Sequence, residues 1–143
     1  MKIRFKKLST NAVIPTRAHE SDAGFDLTAT YCTSDLDGCV VYRTGIAVEI
    51  PKGYVGLIFP RSSIANRNLI LTNSVGVIDS GYRGEILAKF RYVNDDFINI
   101  PPYKVGDRIG QLVIMPIPEI EFEEVDELSD SDRGTGGYGS TGD

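Results

Sequence analysis

The chain has 143 residues and a formal net charge of −5. This length suits one domain around one hydrophobic core. No apolar run approaches the ~20 residues of a membrane-spanning helix, and after the basic start the polar Ser9, Thr10 and Asn11 replace the apolar stretch of a signal peptide. We therefore expect no membrane partner and a cytoplasmic location, which would be the host cytosol for a phage or viral chain.

Charge is unevenly distributed along the chain. Residues 119–132 hold eight of the twenty acidic residues and no basic one, so the remainder carries 15 − 12 = +3. A mildly basic body suits a compact polyanion such as a triphosphate. A nucleic-acid partner is not expected, because Lys and Arg form no long run and the total charge would repel a phosphate backbone. The acidic stretch itself is typical of a solvated connector.

The cysteines and the histidine predict neither a disulfide nor a zinc site. Cys32 and Cys39 lack CxxC spacing, and a domain of this size does not need a disulfide, so free thiols are expected. His19 is the single histidine, and the chain offers no cluster of the kind that holds structural zinc.

Apolar residues recur mainly with period two, as in Ile46, Val48 and Ile50, which is the pattern of half-buried strands. In chain order, strands are expected at residues 3–8, 25–30, 40–42, 46–50, 54–59, 74–78, 86–92, 98–100 and 108–117. Residues 62–68 are the least strand-like internal stretch and could hold one short helical turn before residues 69–71. Many short strands without a long helix predict an all-β closed barrel or jelly-roll sandwich.

Composition changes after Val125, towards Asp, Ser, Gly and Thr. The expected organisation is a β-barrel domain at residues 1–125, followed by an acidic linker and a Gly-rich C-terminal arm at residues 126–143. Only Leu128 and Tyr138 could bury apolar surface in this last part. The arm therefore cannot pack on its own and should be mobile unless something holds it.

Residues 133–142 combine five glycines with Arg133, Tyr138 and three hydroxyl side chains. Glycines let backbone N–H groups turn towards phosphate oxygens, an arginine can bind a terminal phosphate with two hydrogen bonds, and an aromatic ring can stack on a base. The stretch lacks the lysine and the following helix of a Walker A loop. On composition alone it is either a flexible linker end or a lid over a nucleotide.

Two further clusters could complete such a site. Arg61, Ser62 and Ser63 follow the predicted strand at residues 54–59, and their side chains suit phosphate, although such loops are also common on surfaces. Residues 73–87 predict a β-hairpin with Asp79 at its tip. The Asp79 carboxylate would make the turn there, and it could also orient and deprotonate a water.

Two polar residues occur within otherwise apolar strands. Asp26 is an acid in such a strand, so it needs a partner such as Arg61 and would then orient the groups around it. Gln111 is either an outward-facing polar residue or an amide that reaches a phosphate.

Taken together and in this order, these stretches resemble the five motifs of the trimeric dUTPase family, and the resemblance spans nearly the whole chain. The matching stretches are Ala23-Gly24-Phe25-Asp26-Leu27, Pro60-Arg61-Ser62-Ser63, Gly76-Val77-Ile78-Asp79 with Tyr82-Arg83-Gly84, Arg108-Ile109-Gly110-Gln111, and residues 133–142. Ser63 and Tyr138 depart from the commonest pattern, which has glycine and phenylalanine there.

The resemblance implies a distorted jelly-roll β-barrel and a homotrimer in which every active site takes residues from all three subunits. Arg61 and Gln111 would come from one subunit and Asp79 from a second. The arm with Arg133 and Tyr138 would come from a third.

The implied reaction is hydrolysis of dUTP to dUMP and pyrophosphate, which limits uracil in DNA and supplies dUMP for dTMP synthesis. Asp79 would be the general base for a water that attacks the α-phosphorus in line. The implied cofactor is Mg²⁺, held mainly through the triphosphate and without a set of metal ligands from the protein.

The resemblance also assigns roles in substrate binding. The residues implied at the phosphates and along the arm are Arg61, Ser62, Ser63, Gln111, Arg133, Gly139, Ser140 and Thr141. Uracil would meet the backbone of Val77, Ile78 and Leu87 with help from Asn73, and Tyr138 would stack on it. Tyr82 would lie beneath the sugar and exclude a ribose 2′-hydroxyl. Asp26 would orient the side chains that bind the substrate without contacting the substrate itself.

Two alternatives remain open at this stage. A dCTP deaminase, or a bifunctional deaminase and dUTPase, shares the fold, but its base-activating residue is a glutamate where this chain has Asp79. The second alternative is a regulatory binding module of the same fold. The intact Asp79 argues against loss of catalysis in such a module.

Overall fold

The computed structural model describes residues 1–34, 38–93 and 103–137. Its strands, in chain order, are β1 (Arg4–Lys7), β2 (Phe25–Thr28), β3 (Tyr31–Ser34), β4 (Val40–Arg43), β5 (Ile46–Glu49), β6 (Tyr54–Pro60), β7 (Leu69–Leu71), β8 (Gly76–Ile78), β9 (Leu87–Tyr92) and β10 (Arg108–Pro116). A single turn of 3-10 helix at Ser62–Asn66 lies between β6 and β7, where the sequence predicted a short helical turn. None of the helical segments in the described ranges has the length and apolarity to span a membrane.

The strands form two antiparallel four-stranded sheets and one two-stranded ribbon. The first sheet has the order β2-β10-β6-β8, the second has the order β3-β4-β9-β7, and β1 pairs with β5 in the ribbon. Apolar side chains of the first sheet and β5, including Leu27, Ile58 and Leu112, form one buried cluster. A second cluster surrounds Tyr42, Phe90 and Tyr103. This all-β architecture, in which every antiparallel pair except β3–β4 joins non-consecutive strands, is a distorted jelly roll, as predicted.

One predicted element is wrong. The two strands that flank Asp79 do not form a hairpin, because β8 pairs with β6 in the first sheet whereas β9 pairs with β4 and β7 in the second. The segment between Ile78 and Leu87 therefore crosses from one sheet to the other. A turn sequence at Asp79 satisfies local geometry in either arrangement, and long-range pairing decides between them.

Smaller differences concern individual strands. Strand β3 was not predicted, because all four of its residues are exposed and carry no apolar alternation. The strand expected at residues 98–100 lies outside the described residues. Among the described residues Cys32, which is exposed, and Cys39, which is buried, form no disulfide.

No helix or strand occurs in the described part of the chain after β10, which is residues 117–137. Its apolar side chains are largely exposed, with Ile120 at 69%, Phe122 at 93% and Leu128 at 87%. The predicted domain boundary after residue 125 stays a prediction.

Candidate active site

A polar cavity of about 250 Å³ lies where β6 ends. Three of the predicted binding residues line it: Arg61, Ser62 and Gln111. The chain leaves β6 at Pro60, and Ser62 begins the short 3-10 helix. Gln111 lies in the neighbouring strand β10, opposite Phe59 of β6 and Asp26 of β2. Strand pairing thus places motifs that are far apart in sequence around one cavity.

Asp26 forms the back of this cavity and binds two arginines. Its Oδ1 lies 3.0 Å from Nε of Arg61, as the sequence predicted, and its Oδ2 accepts a hydrogen bond of 2.9 Å from Nη1 of Arg108. The Asp26 side chain is only 16% exposed, and that of Arg61 is 29% exposed. One carboxylate between two guanidinium groups leaves one net positive charge, so the triad as a whole can attract an anion.

Gly24 allows the close approach of Gln111. A Cβ atom at residue 24 would lie 2.4 Å from Oε1 and 2.9 Å from Cβ of Gln111. The backbone at Gly24 therefore lies against the Gln111 side chain of β10 with no room for a side chain of its own. Nε2 of Gln111 donates a hydrogen bond of 3.4 Å to the carbonyl oxygen of Pro60. The glycine fixes the position from which the Gln111 amide faces the cavity.

Asp22 closes the rim of the same cavity by stabilising a tight turn. Its Oδ2 accepts a hydrogen bond of 2.9 Å from the backbone N–H of His19. This backbone hydrogen bond is the main reason that the pKa of Asp22 lies below its ordinary value.

A second, smaller cavity of about 220 Å³ surrounds Asp79. It contains the predicted residues Val77, Ile78, Asp79, Tyr82 and Leu87, together with Glu85. The Asp79 backbone carbonyl accepts a hydrogen bond of 3.0 Å from the Tyr82 N–H, which closes the turn. Among the described residues no hydrogen bond or ion pair engages the Asp79 carboxylate, which is exposed and free to bind a water.

The Tyr82 ring lies across Gly84. A Cβ atom at residue 84 would come within 2.4 Å of the Tyr82 hydroxyl oxygen and 2.9 Å of its Cε2. The hydroxyl donates a hydrogen bond of 3.0 Å to the backbone carbonyl of Glu85. The ring is therefore held against the loop at Gly84, and Tyr82 remains 42% exposed, so it can contact a ligand.

The two cavities lie at opposite ends of β6. Strands β6 and β8 are antiparallel and Ile78 is opposite Gly56, so Asp79 lies near the first residues of β6. Arg61 follows the last residue of β6. The six residue steps of extended chain from Val55 to Arg61 span about 20 Å. Asp79 and Arg61 of a single chain are too far apart to contact the same phosphate group.

The remaining predicted site residues lie elsewhere. Ser63 and Asn73 contribute to neither cavity. Arg133 is exposed, and its Nε donates to the carbonyl oxygen of Gly136 at 3.0 Å, within its own segment. The other four predicted residues of the arm lie outside the described residues: Tyr138, Gly139, Ser140 and Thr141.

Sequence reasoning missed Arg108 and Glu85. Arg108 belongs to the same motif as Gln111, but an arginine at the exposed end of a strand carries no local signal for a partner. Asp26, its partner, is 82 residues away in sequence. The two oxygens of the Asp26 carboxylate, in an apolar strand, could have indicated that more than one base was needed.

Comparison with known proteins agrees with the motifs. The dUTPase family model matches residues 10–142. The chain is 47% identical over 130 residues to the deoxyuridine 5'-triphosphate nucleotidohydrolase of Tropheryma whipplei strain Twist, which covers 90% of this chain and 88% of that protein. It is 43% identical over 144 residues to the enzyme of the same name from Rhodococcus erythropolis, covering 99% and 87%.

Solved structures show the same fold. The dUTPase of Staphylococcus bacteriophage 80alpha, solved with dUPNHPP, superposes with a TM-score of 0.85 and 32% identity over 99% of this chain and 98% of that one. A mutant dUTPase from phage phi11 of S. aureus, whose structure describes the coordination of a structural Mg(II) ion, has a TM-score of 0.76 and 29% identity over 90% and 99%. With a family match over residues 10–142 and these full-length relatives, the chain belongs to the dUTPase family.

Proposed function

We propose that this chain hydrolyses dUTP to dUMP and pyrophosphate, which would limit uracil in DNA and supply dUMP for dTMP synthesis. The observation that carries this proposal is the pair of cavities, one with Arg61, Ser62 and Gln111 and the other with Asp79 and Tyr82. The first has the donors for a polyphosphate, and the second has a carboxylate beside an aromatic ring. Membership of the dUTPase family supports their use on one substrate.

In this proposal Asp79 is the general base. Its carboxylate would accept a proton from a water as that water attacks the α-phosphorus, and pyrophosphate would leave from the opposite side. Its exposure and lack of a partner within the described residues leave both oxygens available for this water. Arg61, Ser62 and Gln111 would bind the phosphate oxygens, with Asp26 and Arg108 fixing the direction of Arg61.

Base recognition would use backbone groups. Strand β8 lies at the edge of its sheet and pairs only with β6 among the described strands, so the N–H and C=O groups of alternate residues within Gly76–Ile78 can face a ligand. Uracil presents an alternating row of acceptors and one donor, whereas cytosine has the opposite polarity at position four. Leaving buried polar groups unpaired is costly, so this pocket would reject cytosine. A small pocket would also exclude the methyl group of thymine.

Magnesium would bind chiefly through the substrate. In the part of the chain that the structure describes, no three His, Cys, Asp or Glu side chains come together. The donors present therefore fit a Mg²⁺ that takes most of its ligands from triphosphate oxygens and water. When bound, the ion would neutralise charge on the phosphates, and we expect chelation by EDTA to lower turnover and added Mg²⁺ to restore it.

The distance between Asp79 and Arg61 leads us to propose a homotrimer. A site that needs both groups must take them from different copies, because about 20 Å of strand separates them within one chain. The arm would contribute from a further copy, with Arg133 at the phosphates and Tyr138 over the base.

A second feature supports self-association. An apolar groove of about 260 Å³ lies beside β1 and includes Ile3, Phe5, Phe25 and Ile114. Strand β1 carries Arg4, Lys6 and Lys7 and pairs only with β5 among the described strands, so its other edge is open.

The C-terminal segment of residues 119–123 complements this edge in pattern and charge. Ile120 and Phe122 alternate with Glu119, Glu121 and Glu123, and both apolar side chains are mostly exposed. We expect this segment of a second copy to add to the edge of β1, with its apolar side chains in the groove and its acids against the basic residues.

Size-exclusion chromatography with light scattering tests this association. Phe122→Ser should shift the protein from trimer towards monomer, because it removes the aromatic side chain of residues 119–123. Leu128→Ser is the matched control, since Leu128 is equally exposed but lies beyond the alternating pattern. Equal trimer content in both variants would contradict this docking, and a monomeric wild type would contradict the trimer.

The substrate is tested by a pyrophosphate assay with dUTP, dCTP, dTTP and UTP. We expect dUTP to be turned over preferentially, and the absence of such a preference would refute the proposed function. Ammonia release from dCTP is measured in parallel, because it would identify the deaminase alternative instead.

A further inference from the structure

Glu85 connects the Tyr82 loop to the second sheet. Its Oε1 accepts a hydrogen bond of 2.7 Å from the backbone N–H of Gly45, and its Oε2 accepts one of 2.8 Å from Nε of Arg43. Nη2 of Arg43 binds the same Oε2. The Glu85 side chain is 11% exposed, and hydrogen bonding to it raises the pKa of Arg43 above its ordinary value. Arg43, Gly45 and Glu85 thus form one hydrogen-bonded cluster.

The segment that receives Glu85 is itself fixed. The carbonyl of Gly45 accepts a hydrogen bond of 2.7 Å from the Leu8 N–H, and the carbonyl of Arg43 accepts one of 2.8 Å from the Thr30 N–H. Gly45 has a φ of +67°, and a Cβ atom there would lie 2.3 Å from Oγ of Ser9. Residue 45 therefore has little freedom to follow a loop that moves.

The opposite side of Glu85 holds Tyr82. The backbone carbonyl of Glu85 accepts the Tyr82 hydroxyl, and the next residue, Ile86, donates its N–H to the carbonyl of Ile46 at 2.8 Å. The carbonyl that receives the hydroxyl thus lies between two anchors, one at the Glu85 carboxylate and one at the Ile86 amide. Losing the carboxylate anchor would leave only the Ile86 anchor, so the Glu85 carbonyl could shift and the hydrogen-bonded Tyr82 ring would shift with it.

We propose that Glu85 is a positioning residue for sugar selectivity, holding the Tyr82 ring where it excludes a ribose 2′-hydroxyl. This inference rests on the proposed function, in which Tyr82 lies beneath the deoxyribose. Glu85 lines the cavity with Asp79 and Tyr82, but both carboxylate oxygens are directed at Arg43 and Gly45. It acts on the substrate only through Tyr82.

The test compares kcat/KM for dUTP with kcat/KM for UTP in the wild type, Glu85→Gln, Tyr82→Phe and the double variant. Glu85→Gln keeps the shape of the side chain, but it removes the negative charge and replaces one of the two acceptor oxygens with an NH₂ group, which faces a donor of Arg43 or Gly45. Removing one charged hydrogen-bonded anchor should lower the dUTP:UTP ratio by about three- to tenfold. In the Tyr82→Phe background, where the hydroxyl link is already absent, Glu85→Gln should change the ratio no further.

Two further variants keep the test decisive. Arg43→Met keeps the hydrogen bond between Glu85 and Gly45, so it should lower the dUTP:UTP ratio by less than Glu85→Gln does. This variant tests the inference even if Glu85→Gln folds poorly. Arg91→Gln removes an exposed guanidinium further along β9 and should leave the ratio unchanged.

The inference is overturned if Glu85→Gln and Arg43→Met keep the wild-type ratio, or if Glu85→Gln lowers it equally with and without the Tyr82 hydroxyl. A wild type that does not turn over dUTP would instead refute the proposed function.

Discussion

Replacing Asp26 with asparagine should weaken both the fold and the phosphate cavity. The Asp26 carboxylate binds Arg61 at 3.0 Å and Arg108 at 2.9 Å. Asparagine has one acceptor oxygen and presents an NH₂ group to the second arginine. One guanidinium would therefore lose its acceptor while facing another donor.

The exposure of the three side chains sets the magnitude. Removing one partner of a fully buried ion pair costs about 3–5 kcal/mol, and an exposed pair contributes about 0–1 kcal/mol. Asp26 and Arg61 are 16% and 29% exposed, whereas Arg108 is 50% exposed, so the Arg61 contact should dominate. We expect the free energy of unfolding to fall by about 2 kcal/mol.

The assay is urea unfolding of wild type and Asp26→Asn at the same protein concentration, with kcat/KM for dUTP measured alongside. Because the Arg61 side chain would no longer be held in its orientation, kcat/KM for dUTP should fall by about tenfold or more. The matched control is Asp107→Asn, since Asp107 lies 3.8 Å from Arg67 and is 38% exposed. Its cost should stay below about 1 kcal/mol. Equal losses in the two variants, or wild-type stability of Asp26→Asn, would refute this reasoning.

Three further predictions concern the reaction. Asp79→Asn should lower kcat by at least about a hundredfold, the range of general-base catalysis, while isothermal titration shows dUTP binding largely intact; unchanged turnover would exclude Asp79 as the base. Gly24→Ala should raise KM for dUTP, because its Cβ would lie 2.4 Å from Oε1 of Gln111 and displace the amide; a wild-type KM would show that Gln111 does not bind substrate. Truncation before Arg133 should strongly impair turnover without changing the circular dichroism of the body, and full activity of the truncated protein would contradict a role for the arm.

Strands that alternate in apolarity could be predicted from the sequence. β9 buries one face, so its period is visible in Ala88 and Phe90. In β5 the large residues Ile46 and Val48 show the same period in the sequence, although the small Ala47 between them is buried as well. β3 could not be predicted, because its residues are exposed and its pairing with β4 depends on the backbone. The false hairpin at Asp79 has a related cause, since the turn residues do not determine which strands pair on either side.

The contact between Asp26 and Arg61 could be predicted from the sequence, because it rests on a local anomaly. Asp26, an acid in an apolar strand, indicated a basic partner, and Arg61 is that partner in the structure. Arg43 and Glu85 carry no such anomaly, because each is an ordinary charged residue at a strand end and 42 residues separate them. Likewise, no local pattern shows that Asp79 and Arg61 lie at opposite ends of β6; that follows only from the pairing of β6 with β8.

Subunit complementation tests the central claim, that one active site combines Asp79 and Arg61 of different chains. Asp79→Asn and Arg61→Gln are each expected to be inactive alone. They would be mixed in equal amounts, unfolded and refolded together. Random assembly should place an intact Asp79 and an intact Arg61 together in about one quarter of the sites, with recovery of about that fraction of wild-type activity. If both variants are inactive alone and the mixture also stays inactive, although native mass spectrometry shows mixed trimers, the site does not combine these residues across subunits.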